Sequence, residues 1–334
     1  MDEHNPSDPI KKPARKRFAI HGVEILPGET KSLTVNIAKL PSHSSIDVSI
    51  TISRAIEEGP VLLLSGGLHG DEINGVEIVR RIIEKGLNVP KKGTTICIPI
   101  INVYGFIHFS RYVPDGKDVN RSFPGNKNGS LAARVAYFLM NEIIPKIDYG
   151  IDFHTGGADR TNYPQVRAML NDSQNEVLAK AFHAPFTLHS KYRPKSLRQA
   201  AGKRDKRIIV YEGGESARFD EFAIQNGIDG ALRLMHHLGM THLNPIPNHP
   251  SHFIKKSSWI RAKVSGLLQT KLKSGQFVKK NQVVGFITDP FGEFKSPIKA
   301  PVSGFIIGLN NNPILHQGDA IMHIGVGETE PQTS

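Results

Sequence analysis

Residues 61–72 read VLLLSGGLHGDE. Four apolar residues, Val61 to Leu64, run into Ser65 and two glycines, and His69 and Glu72 follow at once. Directly after them, Ile73, Val76, Val79, Ile82 and Ile83 share one helical face. The reading is a buried strand, a glycine turn and a helix start, with two polar side chains presented at the turn. A unit of this kind belongs to the α/β class. It also puts His69 and Glu72 at the carboxyl end of a strand, where open α/β sheets bind ligands.

Outward from that unit, strand-like and helix-like segments alternate over 60–245. Strands are predicted at 61–65, 94–101, 149–153, 166–170 and 207–211, and helices at 72–85, 130–144 and 219–238. Upstream, 17–59 alternates with period two, as in RFAIHGVEIL and SIDVSITISRAI. The expected fold is a mixed central sheet flanked by helices, spanning 17–245 with its N-terminal β segment (17–59), and preceded by a disordered basic arm over 1–16. The Pro-, Asn- and His-rich stretch NPIPNHPSH (244–252) marks a linker.

Residues 253–326 read as a second, all-β domain, with 327–334 as a tail. VSGLL at 264–268 returns as VSGFI at 302–306, and VVGFI at 283–287 aligns with IMHIG at 321–325. This two-fold repeat resembles the biotinyl/lipoyl carrier type of β-barrel. In that family a modified lysine sits eight residues before the proline of an A-P-x-x-G motif. Here the motif is Ala300-Pro301-Val302-Ser303-Gly304 and the equivalent position is Glu293. A structural or substrate-shielding role is therefore expected, not a carrier role.

The chain has 334 residues, a net charge of +11 and one cysteine. A disulfide framework is excluded, and Cys97 reads as a packing residue in a strand. No apolar run approaches the ~20 residues needed to span a bilayer. The N-terminus lacks the apolar core of a secretory signal, so a cytoplasmic protein is expected. The basic residues are dispersed and not interleaved with aromatics, so neither nucleic acid nor membrane is an expected partner. A solvated basic surface is the first reading of this charge, and a positive potential that attracts a small anionic substrate is the second. A homo-oligomer stays open.

His-x-x-Glu is common enough to arise by chance. It occurs twice, and the copy at His21–Glu24 lies in a strand-like context whose residues three apart point to opposite faces. His69 and Glu72, on a turn entering a helix, can instead converge on one ion. A catalytic zinc takes three protein ligands and a water. The third candidate is His154 in YGIDFHTGG, again at a strand end before two glycines, with Asp152 placed to orient it. Zinc chemistry still needs a carboxylate to carry the proton. Glu212, which ends the strand IIVYE, is preferred over Glu215 in the same turn. The polar loop RYVPDGKDVNRSFPG (111–125) offers guanidinium forks for a carboxylate.

Together, GGLHGDE (66–72), DVNRSFPG (118–125), DFHTGG (152–157) and YEGGE (211–215) resemble the succinylglutamate desuccinylase/aspartoacylase family, a branch of the zinc carboxypeptidase-like (M14) hydrolases. The resemblance covers 40–326. It implies a zinc carboxypeptidase-like fold, one Zn²⁺ per chain on His69, Glu72 and His154, and Glu212 as general base and acid. It implies that Arg111 stabilises the oxyanion, that Asn120 and Arg121 bind the substrate carboxylate, and that Asp118 holds their loop. Arg198 is the nearest candidate for a further substrate-binding arginine. The expected activity is a zinc-dependent deacylase cleaving the amide bond of an N-acyl amino acid or a similar small anionic amide. A metallocarboxypeptidase and a non-catalytic binding or carrier module are the alternatives.

Overall fold

The computed structural model describes residues 17–326. The expected arm (1–16) and tail (327–334) lie outside the described residues. A small hairpin, β1 (Ala19–Ile20) and β2 (Val23–Glu24), precedes the main sheet. The sheet then takes β3 (Thr30–Lys39), β4 (Ser45–Arg54), β5 (Glu57–Ser65) and β6 (Lys92–Ile98), with helices α1 (Ile73–Glu84) and α2 (Val103–Ile107) between and after them. Helix α3 (Leu131–Phe138) leads to β7 (Tyr149–Gly156) and β8 (Arg160–Ala168). Next come α4 (Ser173–Phe182), β9 (Phe186–His189), α5 (Leu197–Gly202), β10 (Arg207–Glu215) and α6 (Glu221–His237).

The central order is β8-β10-β7-β5-β6-β4-β3. Strands β10, β7, β5 and β6 run parallel, while β8, β4 and β3 attach antiparallel at the two sides. This is the mixed sheet the sequence suggests. β5 shows why its reading was so clear. Leu62 and Leu64 pack into the layer formed with α1, α4 and α6, and Leu63 into the layer on the opposite face, all with no exposure. A strand buried on both faces reads as an unbroken apolar run.

Several predicted elements differ in extent, and β10 runs past Glu212 to Glu215 where the sequence predicts an end at 211–212. The helix expected over 130–144 is α-helical from Leu131 to Phe138, widens into a π turn over Leu139–Ile143 and ends in a 3₁₀ turn containing Pro145. Proline lacks the N–H that an α-helix needs. The strand expected at 166–170 occupies Arg160–Ala168 instead. Its first half is polar because it lines a cavity. His21, predicted along a strand, stands at the β1–β2 turn with φ of 47°.

The C-terminal segment contains β11 (His252–Ile254), β12 (Ser257–Arg261), β13 (Gly266–Gln269), β14 (Phe277–Val278), β15 (Val283–Thr288), β16 (Lys295–Lys299), β17 (Gly304–Asn310), β18 (Ile314–Leu315) and β19 (Ala320–Val326). The sequence repeat becomes a repeat of pairing. β12-β19-β17-β14 and β16-β15-β13-β18 are matching four-strand sets, and the first strands of the two sets begin at Ser257 and Lys295. Ile260, Val284, Ile298, Ile306, Ile321 and Ile324 meet in one core between them. The first set is continuous with the main sheet. β17 pairs β8 at Arg160–Asn162, next to β9, which pairs β8 at Gln165–Ala168.

Candidate metal centre and active site

Two glycines shape the turn after β5. Gly67 adopts φ of +58°, a left-handed conformation that L side chains rarely take. Gly70 lies so close to Gly105 that a Cβ would sit 1.9 Å from its carbonyl carbon. Glu72 occupies the N-cap of α1 without capping it. Its carboxylate turns instead toward the carboxyl ends of β5 and β7, and Gly75 packs against the Phe153 carbonyl behind it.

His69, Glu72 and His154 are buried and offer ligand atoms within 4.8 Å of one another, the one such group among the described residues. Glu72 Oε1 lies 2.7 Å from His69 Nδ1, and Oε2 lies 2.7 Å from His154 Nδ1 and 3.1 Å from the Thr155 backbone N–H. Each imidazole is backed by a carboxylate at its far nitrogen. His154 Nε2 is 2.7 Å from Asp152 Oδ2, and Asp152 Oδ1 accepts from Ser65 Oγ at 2.8 Å. His69 Nε2 is 3.3 Å from Asp118 Oδ1, an ion-pair distance without hydrogen-bond alignment.

This arrangement suits a cation. The Arg111 guanidinium can only donate, and its Nη1 lies 3.1 Å from His69 Nδ1, so Nδ1 serves as an acceptor there. An acceptor nitrogen and a carboxylate oxygen at 2.7 Å require positive charge between or beside them. The same holds at His154 when its Nε2–H donates to Asp152. Burial opposes charging either histidine, yet Glu72 with Asp118 raises His69, and Asp152 with Glu72 raises His154 well above the ordinary imidazole value. Glu72 is held well below the carboxylate range by the two histidines despite its burial. Two imidazoles and one carboxylate form a donor set that zinc accepts, with a position left for water or substrate.

Arg111 crosses from the polar loop to this centre. Its Nε and Nη2 both reach Asp118 Oδ2, at 3.1 and 2.8 Å, and Nη1 faces Glu72 and His69. Asp118 also accepts from the Asn120 backbone N–H at 2.7 Å, closing the turn that carries Asn120 and Arg121. Asn120 Oδ1 accepts from the Leu197 N–H at 2.9 Å, which leaves its amide NH₂ for the cavity. Arg121 is exposed.

Glu212 lies on β10 directly beside His154 on β7, so both side chains rise from one sheet face. Glu215 pairs beyond a register shift and does not line the cavity. Arg198 lines the cavity, but its guanidinium donates to the Arg167, Ser190 and Lys191 carbonyls, each at 2.9 Å. Burial lowers it to about 10. The expectation that its fork meets substrate thus runs into a geometric obstacle: this fork holds the 190–191 backbone.

The cavity measures about 750 Å³. It contains residues that the sequence reading missed. Arg167 Nη1 pairs with Glu212 Oε1 at 3.0 Å, and Asn162 Nδ2 donates to Glu212 Oε2 at 2.5 Å. Trp259, from β12, enters the wall with Arg160 beside its ring, and stacks on His323 at 4.5 Å and 6°. An arginine inside the otherwise apolar run VRAML (166–170) was the available signal for Arg167. Nothing local marked Trp259.

The chain and its fold are similar to known proteins. The chain is 27% identical to N-alpha-acetyl-L-2,4-diaminobutyric acid deacetylase of Halomonas elongata over 281 residues, covering 79% of this chain and 81% of that protein. The fold matches the product-bound ectoine utilization protein EutE (DoeB) of Ruegeria pomeroyi with a TM-score of 0.79 at 20% identity, covering 90% of this chain and 97% of that one. It also matches a succinylglutamate desuccinylase/aspartoacylase of Rhodobacter sphaeroides with a TM-score of 0.78 at 21% identity, covering 90% and 96%. Residues 58–238 match the succinylglutamate desuccinylase/aspartoacylase catalytic domain, and the chain belongs to that family of deacylating hydrolases.

Proposed function

We propose that this protein is a zinc-dependent amidohydrolase that removes the acyl group from an N-acyl amino acid. The observation that carries the reading is the convergence of His69 Nδ1 and His154 Nδ1 on the two Glu72 oxygens, with Glu212 beside His154. His69, Glu72 and His154 would hold one zinc ion. Zinc bound there supplies a water of lowered pKa and a Lewis acid for the scissile carbonyl. Glu212 takes the proton of the attacking water and returns it to the leaving amine. Arg111 Nη1, the one guanidinium nitrogen not held by Asp118, serves the developing oxyanion. The Asn120 amide and Arg121 receive the amino-acid carboxylate.

The Halomonas elongata relative, named for an N-acetyl amino acid, makes N-acetyl amino acids the first substrates to test. We take 17–245 as the hydrolase unit and 253–326 as a carrier-like β unit with a shielding role, through Trp259 in the cavity wall. The test is turnover by zinc-loaded protein of a panel of N-acetyl and N-succinyl amino acids, with short peptides alongside. Deacylation that Glu212→Gln abolishes, with zinc still near one per chain, is the expected result. Release of C-terminal residues from peptides, with no deacylation, would replace the reading with a carboxypeptidase.

A further inference from the structure

We infer that the C-terminal β unit positions the carboxylate of Glu212 through a relay of two residues, Gly308 and Asn162. The inference rests on the role proposed for Glu212. Gly308 of β17 pairs with Asn162 of β8, at the place where the C-terminal strands join the main sheet. Asn162 is 6% exposed, and its Nδ2 donates to Glu212 Oε2 at 2.5 Å. The other Glu212 oxygen meets Arg167 Nη1 at 3.0 Å. A guanidinium fork readily takes both oxygens of a carboxylate. Asn162 keeps one oxygen out of that fork, and so keeps the carboxylate from turning wholly onto Arg167.

Gly308 decides where the Asn162 amide can lie. A Cβ on Gly308 would fall 2.8 Å from Asn162 Oδ1, and its next neighbours are His323 Cβ at 3.5 Å and the Thr161 carbonyl at 3.6 Å. Gly308 does not have a positive φ, so alanine fits the backbone. The atom that must yield is the end of a flexible side chain, and that side chain is the one holding Glu212. One methyl group on a strand of the C-terminal unit is therefore transmitted to the proposed base. Asn162 and Gly308 are positioning residues, since neither touches the reacting atoms.

The test is a double-mutant cycle in the full, zinc-loaded chain, read by kcat and KM on an N-acyl amino acid, with crystal structures of the variants. Gly308→Ala and Asn162→Ala should each lower kcat by about tenfold or more, the scale of a small misplacement of a catalytic group. KM and zinc content should stay near wild type. The double variant should match Asn162→Ala alone, because the methyl acts only through that amide. Fully additive losses, or a wild-type kcat in Asn162→Ala, would overturn the relay. Should Gly308→Ala fold poorly, Asn162→Ala still decides the second link. The structures decide the first link apart from any activity: an Asn162 amide still on Glu212 in Gly308→Ala overturns it. Activity retained in Glu212→Gln would instead remove the proposed base and leave the structural result standing.

Discussion

Asp152 and His154 stand two residues apart on β7, and both project from one face of the strand, so that Asp152 Oδ2 comes within 2.7 Å of His154 Nε2. Ser65, at the end of the neighbouring β5, holds the other Asp152 oxygen at 2.8 Å. The carboxylate thereby fixes the imidazole tautomer and turns its Nδ1 toward Glu72. Asp152→Asn removes that charge with little change in shape. Zinc affinity should fall by about 10–100-fold, measured by competition with a chelator of known affinity. Unchanged affinity would make Asp152 a packing residue.

Arg121 and Arg198 both line the cavity but should respond differently. Arg121 is exposed, so Arg121→Ala should raise KM and leave stability within about 0.5 kcal/mol. Arg198 is buried and donates to three backbone carbonyls. Arg198→Met should lower stability by about 2–4 kcal/mol, read as a shift of the urea midpoint. A KM effect at Arg198 with no loss of stability would restore it as a substrate contact.

How far the sequence could be read depended on how local each signal was. The β5 unit was legible because burial on both faces leaves an unbroken apolar run, and because Gly67 and Gly70 are demanded by backbone geometry. β8 was half legible. Arg160 and Asn162 on it are polar and line the cavity, and Pro164 argues against a strand. The partners of Glu212 lie 50 and 45 residues away, and only the register of β8 against β10 brings them in. Trp259 needs the C-terminal unit docked before it can be seen at all. The His21–Glu24 pair shows the converse: a matching local pattern means little when no third ligand joins it among the described residues.

His323 should make the C-terminal unit acid-sensitive. Burial, with Arg167 nearby, pushes its imidazole down to about 3. Its ring stacks on Trp259, and its Nε2 lies 2.9 Å from Ser257 Oγ. The folded pKa lies below the unfolded value of about 6.5, so below pH 6.5 the unfolded chain binds the proton more readily. The stability contribution is complete above that pH and is lost as pH falls toward 3. It amounts to about 3–5 kcal/mol at most. His323→Phe keeps a ring against Trp259 and removes the titration. The variant should show a flatter decline of melting temperature between pH 6.5 and 4 than wild type, and equal slopes would place the acid sensitivity elsewhere.

Gly70 offers the sharpest test of the turn that carries His69 and Glu72. A methyl group there would meet the Gly105 carbonyl carbon at 1.9 Å and the Phe106 nitrogen at 2.0 Å, both backbone atoms that cannot swing aside. The Gly70 N–H also donates to the Ser110 carbonyl at 3.1 Å, one residue before Arg111. Gly70→Ala must therefore push the 69–72 turn away from the 105–111 segment and part Arg111 from His69 and Glu72. The expected result is a stability loss of about 3 kcal/mol or more together with weakened zinc binding. Gly86 provides the control, since nothing lies within 4 Å of a Cβ there and its φ of +65° leaves only backbone strain. Gly86→Ala should lower stability by about 1 kcal/mol and leave zinc affinity unchanged. Equal effects of the two substitutions on zinc binding would show that the close approach of Gly70 to Gly105 does not shape the metal centre.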